Sequence, residues 1–180
     1  MPPRSQPHIV PYEIAVGQYL PGHDYRCERL LGRGGMGSVY QMVRGELRFE
    51  VAVKLLHMNL ATQPQFVQLF LEEARILKQV GDHPNLPRIL DFAKLPDGTP
   101  FIVMELLDGN SLGRIMRSEP GKKFDRDVAF RIIDQVLAGV FELHSQGIIH
   151  RDLKPDNIFL ERRAKAGPGA AVKILDCGLA

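Results

Sequence analysis

The feature that most constrains the fold of this chain is a carboxylate set among apolar residues. In FVQLFLEEARILKQV, the residues three, four and seven positions either side of Glu73 are Phe66, Leu69, Phe70, Ile76, Leu77 and Val80. A helix gathers these positions onto one face. Glu72 is flanked instead by Gln65, Gln68, Arg75 and Gln79. The spacing therefore predicts a helix over residues 63–80 with Glu73 inside its buried stripe, where an unpaired carboxylate costs several kcal/mol or takes up a proton. That helix must pack against an element carrying a cation. The best candidate is Lys54 in the segment VAVK, where strand alternation places it on the same side as the small Ala52. On its own the tetrapeptide fits an ordinary edge lysine; the need of Glu73 gives it a partner.

Around this pair the pattern changes along the chain. Residues 1–24 are interrupted by Pro2, Pro3, Pro7, Pro11 and Pro21, and read as an extension that is mobile at least in its first half. YRCERLLG, GSVYQMVRG and RFEVAVKLL then carry β-branched and aromatic residues between glycines, as antiparallel strands do. After the Glu73 helix come two further strand candidates, LPRILDFAKL and FIVMELL, separated by the turn signal Pro96-Asp97-Gly98. Beyond Gly109 the pattern is helical, most clearly over residues 125–144, where Ala129, Ile132, Ile133, Val136, Val140 and Leu143 recur at helical spacing behind Asp125 as N-cap. The expected class is α+β in two lobes, with the division at 107/108.

Two polar constellations remain. LGRGGMGSVY holds Gly32, Gly34 and Gly37 in GxGxxG spacing, which lets backbone N–H groups approach phosphate oxygens with no Cβ in the way. A dinucleotide-binding turn requires a following helix and then an acidic residue, but a β-rich segment and Lys54 follow instead. A Walker-type loop fails because Ser38 stands where its lysine belongs. A glycine-rich hairpin over phosphates survives both tests. The second constellation, HRDLKPDN over residues 150–157, places an Asp, a Lys and an Asn in a loop that Pro155 keeps from being helical. Asp152 can accept a proton from a hydroxyl, Asn157 offers a neutral ligating oxygen, and Lys154 can hold a transferring phosphoryl group.

On these motifs the chain, from about Tyr25 onward, resembles the protein-kinase family. The resemblance implies a bilobal kinase fold: an N-lobe of a five-stranded antiparallel sheet plus one helix at 25–107, and a partial helical C-lobe at 108–180. It implies ATP and Mg2+ as cofactors and protein serine and threonine hydroxyls as acceptors, LKPDN being the serine/threonine form of the loop. GRGGMG with HPNL is similar to bacterial kinases of that type. Gly32, Gly34 and Gly37 would then cover the phosphates, and Val39 would roof the adenine. Lys54, paired with Glu73, would hold the α- and β-phosphates. The adenine pocket would lie near Ala52, with Met104 at its rear, the backbones of Glu105 and Leu107 on the base, and Phe159 as its floor. Asp152 would be the catalytic base, with Lys154 beside it, and Asn157 and Asp176 the magnesium ligands. Arg151 implies control by a phosphorylated activation segment.

One motif departs. Where the family carries DFG, this chain has Asp176-Cys177-Gly178, and an uncompensated loss of the ring is worth roughly 3 kcal/mol in a buried site. Such a loss could tilt the balance between active and inactive conformers, or bulkier neighbours could fill the gap. The sequence also reads as a piece of a longer kinase that ends before an activation segment, so the 180-residue chain is expected to bind ATP weakly and to transfer phosphate poorly. The alternative is a nucleotide-binding pseudokinase or regulatory module without catalysis.

Composition narrows the partners. The formal charge is +2, from 23 basic and 21 acidic residues, which gives no field arguing for nucleic acid or an anionic membrane. No stretch reaches the roughly 18 apolar residues of a membrane span, and the N-terminus lacks a signal-type apolar core. Two distant cysteines, Cys27 and Cys177, suit a reducing compartment. The expected location is cytoplasmic.

Overall fold

The computed structural model describes residues 11–118, 121, 123–162 and 171–176. The expectations on the first ten residues and on Cys177 and Gly178 lie outside these. The chain divides into two compact units, one of residues 11–71 and 90–106, the other of residues 72–89 and those from 107 onward. Relative to the division read from sequence, residues 72–89 group with the second unit.

The first unit is built on a five-stranded sheet. β1 (Tyr25–Arg33), β2 (Gly37–Arg44), β3 (Phe49–Leu56), β4 (Ile89–Lys94) and β5 (Pro100–Glu105) lie in the order β1-β2-β3-β5-β4. The β1–β2, β2–β3 and β3–β5 pairings are antiparallel. β3 is central and is buried on both faces from Val51 to Leu56, which is why its sequence is a nearly continuous apolar run. One face carries the core: Tyr40 and Met42 of β2, Val51, Val53 and Leu55 of β3, and Phe101 and Val103 of β5. The segment before β1 completes it. Ile14 and Leu20 are buried there, and the Tyr40 hydroxyl donates to the carbonyl of Tyr12 at 2.7 Å. The turn signal at 96–98 is realised: Gly98 N–H donates to Leu95 O at 2.9 Å, and Asp97 Oδ1 accepts from Thr99 N–H at 2.8 Å.

Two helices follow β3, the four-residue α1 (Met58–Ala61) and α2 (Pro64–Val80). The periodicity expected of α2 is present. Phe70, Glu73, Ala74 and Leu77 are buried, while the exposed Glu72 meets Arg75 at 3.4 Å.

The second unit is less helical than its sequence pattern suggests. Directly after Gly109 the chain forms β6 (Gly109–Ser111), and only then α3 (Leu112–Ser118). β6 pairs with β7 (Ile158–Glu161), which pairs with β8 (Ala171–Ile174), making a three-stranded antiparallel sheet. Three residues cannot display a periodicity of their own, so β6 is fixed by its distant partner. α4 (Arg126–Ser145) begins as expected, with Asp125 Oδ1 accepting from Asp127 N–H at 2.9 Å. It packs Ile132, Val136 and Leu143 against Val172 and Ile174 of β8 and against Leu77 and Leu86. Asn85 secures β8 from its side chain and its backbone: Nδ2 donates to Val172 O, and Asn85 O accepts from Ile174 N–H, each at 2.9 Å. A second apolar stripe of α4, comprising Phe130, Ile133, Leu137 and Phe141, is exposed.

The two stripes of α4 should respond differently to truncation. Leu143 is 0% exposed and Phe141 is 74% exposed. In urea unfolding, Leu143→Ala is expected to cost about 2–5 kcal/mol and Phe141→Ala less than about 0.5 kcal/mol; equal costs would contradict this packing.

Candidate functional site

In the first unit, the β1–β2 hairpin turns at residues 34–37, with Gly34 N–H donating to Gly37 O at 2.9 Å. Its glycines fall into two kinds. Gly37 is required by packing: it pairs with Leu56, and a Cβ there would collide with the carbonyl oxygen of Leu55. At Gly32 and Gly35 a Cβ would meet nothing within 4 Å, and at Gly34 only Gly37 O at 3.8 Å, among the described residues. Packing does not demand glycine at these three positions. What glycine provides there is a backbone surface free of Cβ atoms.

The β2–β3–β5 register sorts the other candidates of this unit. Val39, Lys54 and Ile102 lie opposite one another across the strands, as do Gln41, Ala52 and Met104. Strand alternation then places Val39, Ala52, Lys54 and Met104 on the face opposite the core. Glu105 ends β5 opposite Val51. Lys54 is only 6% exposed, so the lysine is not the edge residue its tetrapeptide alone suggests.

The second unit holds Glu73, Leu107, Asp152, Lys154, Asn157, Phe159 and Asp176. Glu73 is 5% exposed, as the helical spacing requires. Leu107 is half-buried just before β6, and Phe159, also half-buried, lies in β7 opposite Ser111 and Lys173. The side chains of Asp152, Lys154 and Asn157 are placed by one hydrogen-bonded loop, to which the backbone leading into Asp176 is tied.

That loop is a tight assembly around Asp152. The Lys154 ammonium lies 2.7 Å from Asp152 Oδ2. The Asn157 amide donates to Asp152 O at 2.9 Å and to Asp152 Oδ2 at 3.1 Å. Asp152 N–H donates to His150 O at 2.9 Å and approaches His150 Nδ1 at 3.4 Å. On its other side the buried His150 ring reaches Leu175 O through Nε2 at 2.9 Å, so Nε2 carries the proton. Leu175 N–H in turn donates to Asn157 O at 2.8 Å. Leu175 is thus held through both its backbone groups, and the next residue is Asp176. Two non-glycine residues of this assembly, Arg151 (φ 65°) and Asp176 (φ 56°), sit in the left-handed region. Each such conformation costs on the order of 1–3 kcal/mol and persists only where surrounding bonds enforce it.

A 3₁₀ turn, Pro155–Asn157, closes the loop and is anchored from α3. Arg117 grips Asp156 with two bonds of 2.6 and 3.1 Å. Gly113 lets α3 come this close, since a Cβ there would lie 2.5 Å from Asp156 Oδ1. Neither Gly113 nor Arg117 is marked by spacing in the sequence, because Asp156 lies 39 residues beyond Arg117.

Electrostatics follow these contacts. The hydrogen bond from Lys154 holds the Asp152 carboxyl below the usual carboxylate range, assisted by Asn157. The same bond raises Lys154, and Arg117 lowers Asp156. Asp152 is therefore an exposed, ionised carboxylate at neutral pH, oriented by two donors.

Among the described residues no three His, Cys, Asp or Glu side chains form a metal cage. The donor set here is different in kind. The Asn157 amide nitrogen is committed to Asp152, so its oxygen is what it can offer, and Asp176 adds a carboxylate. One amide oxygen and one carboxylate suit a magnesium ion, which keeps several waters and draws other ligands from substrate phosphates.

Comparison with known proteins gives the family and the fold. The family model described as protein kinase domain matches residues 25–180. The chain is 39% identical over 178 residues to the serine/threonine-protein kinase Pkn1 of Myxococcus xanthus, covering 99% of this chain and 24% of that protein. It is 34% identical over 169 residues to the serine/threonine-protein kinase PknA of Mycobacterium tuberculosis, covering 92% of this chain and 37% of that one. The chain thus spans about a quarter to a third of the length of these relatives. Among solved structures, the kinase domain of Mycobacterium tuberculosis PknI superposes with a TM-score of 0.74 at 24% identity, over 93% of this chain and 64% of that one. At that identity the superposition shows the fold alone.

The Asp152–Lys154 contact has a measurable signature. Folding lowers the Asp152 carboxyl, so the contact favours the fold at neutral pH and is lost as acid protonates it. In Lys154→Met, carbon-detected NMR should show the Asp152 titration midpoint moving up toward the ordinary carboxylate range. An unchanged midpoint would contradict the assignment of Lys154 as the main cause.

Proposed function

The chain belongs to the protein kinase family, and from that premise we propose that it carries the core of an ATP-dependent phosphoryl transfer to serine and threonine hydroxyls of proteins. The observation that carries the proposal is the Asp152 carboxylate, ionised, exposed and aimed by Lys154 and Asn157 in a loop tied to the residue before Asp176.

Phosphoryl transfer asks little covalent chemistry of a protein; it needs charge neutralised and a nucleophile aimed. Asp152 accepts the proton of the attacking hydroxyl, and its lowered pKa keeps it ionised to do so. Lys154, bonded to Asp152, carries the charge that can balance a transferring phosphoryl group. Asn157 and Asp176 are the residues that would hold magnesium, which when bound neutralises charge on the phosphate oxygens. Gly32, Gly34 and Gly37 cover the phosphates. Lys54 meets the α- and β-phosphates. Val39, Ala52, Met104 and the backbone of Glu105 are the adenine-facing groups of the first unit, and those of the second are Phe159 and the backbone of Leu107. No described helix is long and apolar enough to cross a membrane. The location proposed for the chain is cytoplasmic, on the ground that the Cys27 thiol is free and buried.

The test is transfer of labelled phosphate to a generic protein substrate by a polypeptide containing residues 1–180. Asp152→Asn should lower the rate by about 100-fold or more while leaving the Mg-ATP thermal shift in place. A thermal shift without any transfer by the wild type would overturn catalysis and leave a nucleotide-binding module.

A further inference from the structure

The glycine-rich hairpin is held from beneath by a residue outside the motifs named above. His57 follows β3 directly, and its N–H donates to Met36 O at 2.9 Å, extending the β2–β3 pairing by one residue. Its ring reaches further: Nε2 lies 2.9 Å from Gly34 O. A carbonyl only accepts, so Nε2 carries the proton. The residue is 1% exposed, and Nδ1 is buried with no partner among the described residues. A buried polar atom left unsatisfied is a cost the fold carries. On packing grounds an apolar residue would suit the position better. What His57 supplies, and an apolar side chain cannot, is the donor to Gly34.

The consequence of that bond follows from the peptide plane. None of the described peptide bonds is cis, and in a trans unit the C=O and the following N–H point in opposite directions. Drawing Gly34 O toward the end of β3 therefore aims Gly35 N–H away from it. The Gly34 N–H is already occupied by Gly37 O, and a Cβ at Gly35 would find empty space among the described residues. A peptide between two glycines has little of its own to prevent it from flipping.

We propose that His57 is a positioning residue that locks the Gly34–Gly35 peptide so that the Gly35 N–H is presented to the phosphates of the bound nucleotide. The inference rests on the preceding reading that the hairpin covers phosphates. It makes the donor geometry of the hairpin depend on a buried side chain that itself touches no nucleotide.

Hydrogen exchange at the Gly35 amide, with and without Mg-ATP, tests it together with nucleotide affinity of the 180-residue chain. In the wild type, nucleotide should slow exchange at Gly35. His57→Leu occupies similar space without a donor. It should bind Mg-ATP about tenfold more weakly and lose the protection at Gly35 even at saturating nucleotide, with little change in melting temperature of the nucleotide-free chain. His57→Gln, whose amide nitrogen reaches where Nε2 sits, should restore both. His57→Asn, with the same chemistry and one methylene less, should not, and the Gln/Asn pair carries the comparison if the Leu variant does not fold. Wild-type affinity and Gly35 protection in the donor-lacking variants that fold would overturn the proposal and leave the nucleotide reading standing. Failure of the wild-type chain to bind Mg-ATP would overturn that reading and this inference with it.

Discussion

The second unit depends on a single backbone position, Leu175. Its N–H is taken by Asn157 O at 2.8 Å and its carbonyl by His150 Nε2 at 2.9 Å. These two bonds join the end of β8 to the loop that carries Asp152, although the segments are far apart in sequence. Asp152 and Asn157 are held to each other by the Asn157 amide, and Asp176 follows Leu175 directly. The Asp152 carboxylate, the Asn157 amide and the backbone leading into Asp176 are therefore fixed by one compact set of bonds rather than by independent loops. The left-handed conformations of Arg151 and Asp176 are consistent with that role, because backbone strain of this kind survives only where neighbouring bonds over-determine it. Behind the loop, α4 and the Asn85 carbonyl support β8, so the apolar core transmits its rigidity to the site.

The first unit solves a different problem with different means. There the candidate groups lie on a sheet face and on a glycine-rich hairpin. Gly37 exists to let β2 approach β3, whereas Gly32, Gly34 and Gly35 answer no packing need. Lys54 and Glu73 are buried charges, and such charges are retained against their desolvation cost only where they are partnered. Taken each by itself, the units differ: one holds a stiff polar loop, the other a glycine-rich hairpin and a buried lysine.

Much of this was legible in the sequence where the determining pattern is local. The burial of Glu73 and exposure of Glu72 follow from helical spacing, the N-cap at Asp125 from residue type, and the turn at 96–98 from its Pro-Asp-Gly signal. The strands of the first unit follow from β-branched and aromatic runs between glycines. What escaped is non-local. β6 is three residues long and exists because β7 pairs with it. The Arg117–Asp156 grip and the room Gly113 leaves for it join segments that no periodicity connects. Ile14 and Leu20 complete the first core from a proline-interrupted stretch that reads as an extension. His150 and His57 stand beside recognisable motifs, yet their contacts to Leu175 O and Gly34 O depend on where the backbone turns, which composition does not record.

If Asn157, Asp176 and the loop around Asp152 form one magnesium-dependent site for a nucleotide, they respond to the metal together. The most direct measurement is amide NMR of the chain titrated with ATP in the presence and absence of magnesium. Magnesium should strengthen binding and shift the Asn157, Leu175 and Asp176 amides together. Magnesium-independent binding that leaves those three amides unmoved would contradict it.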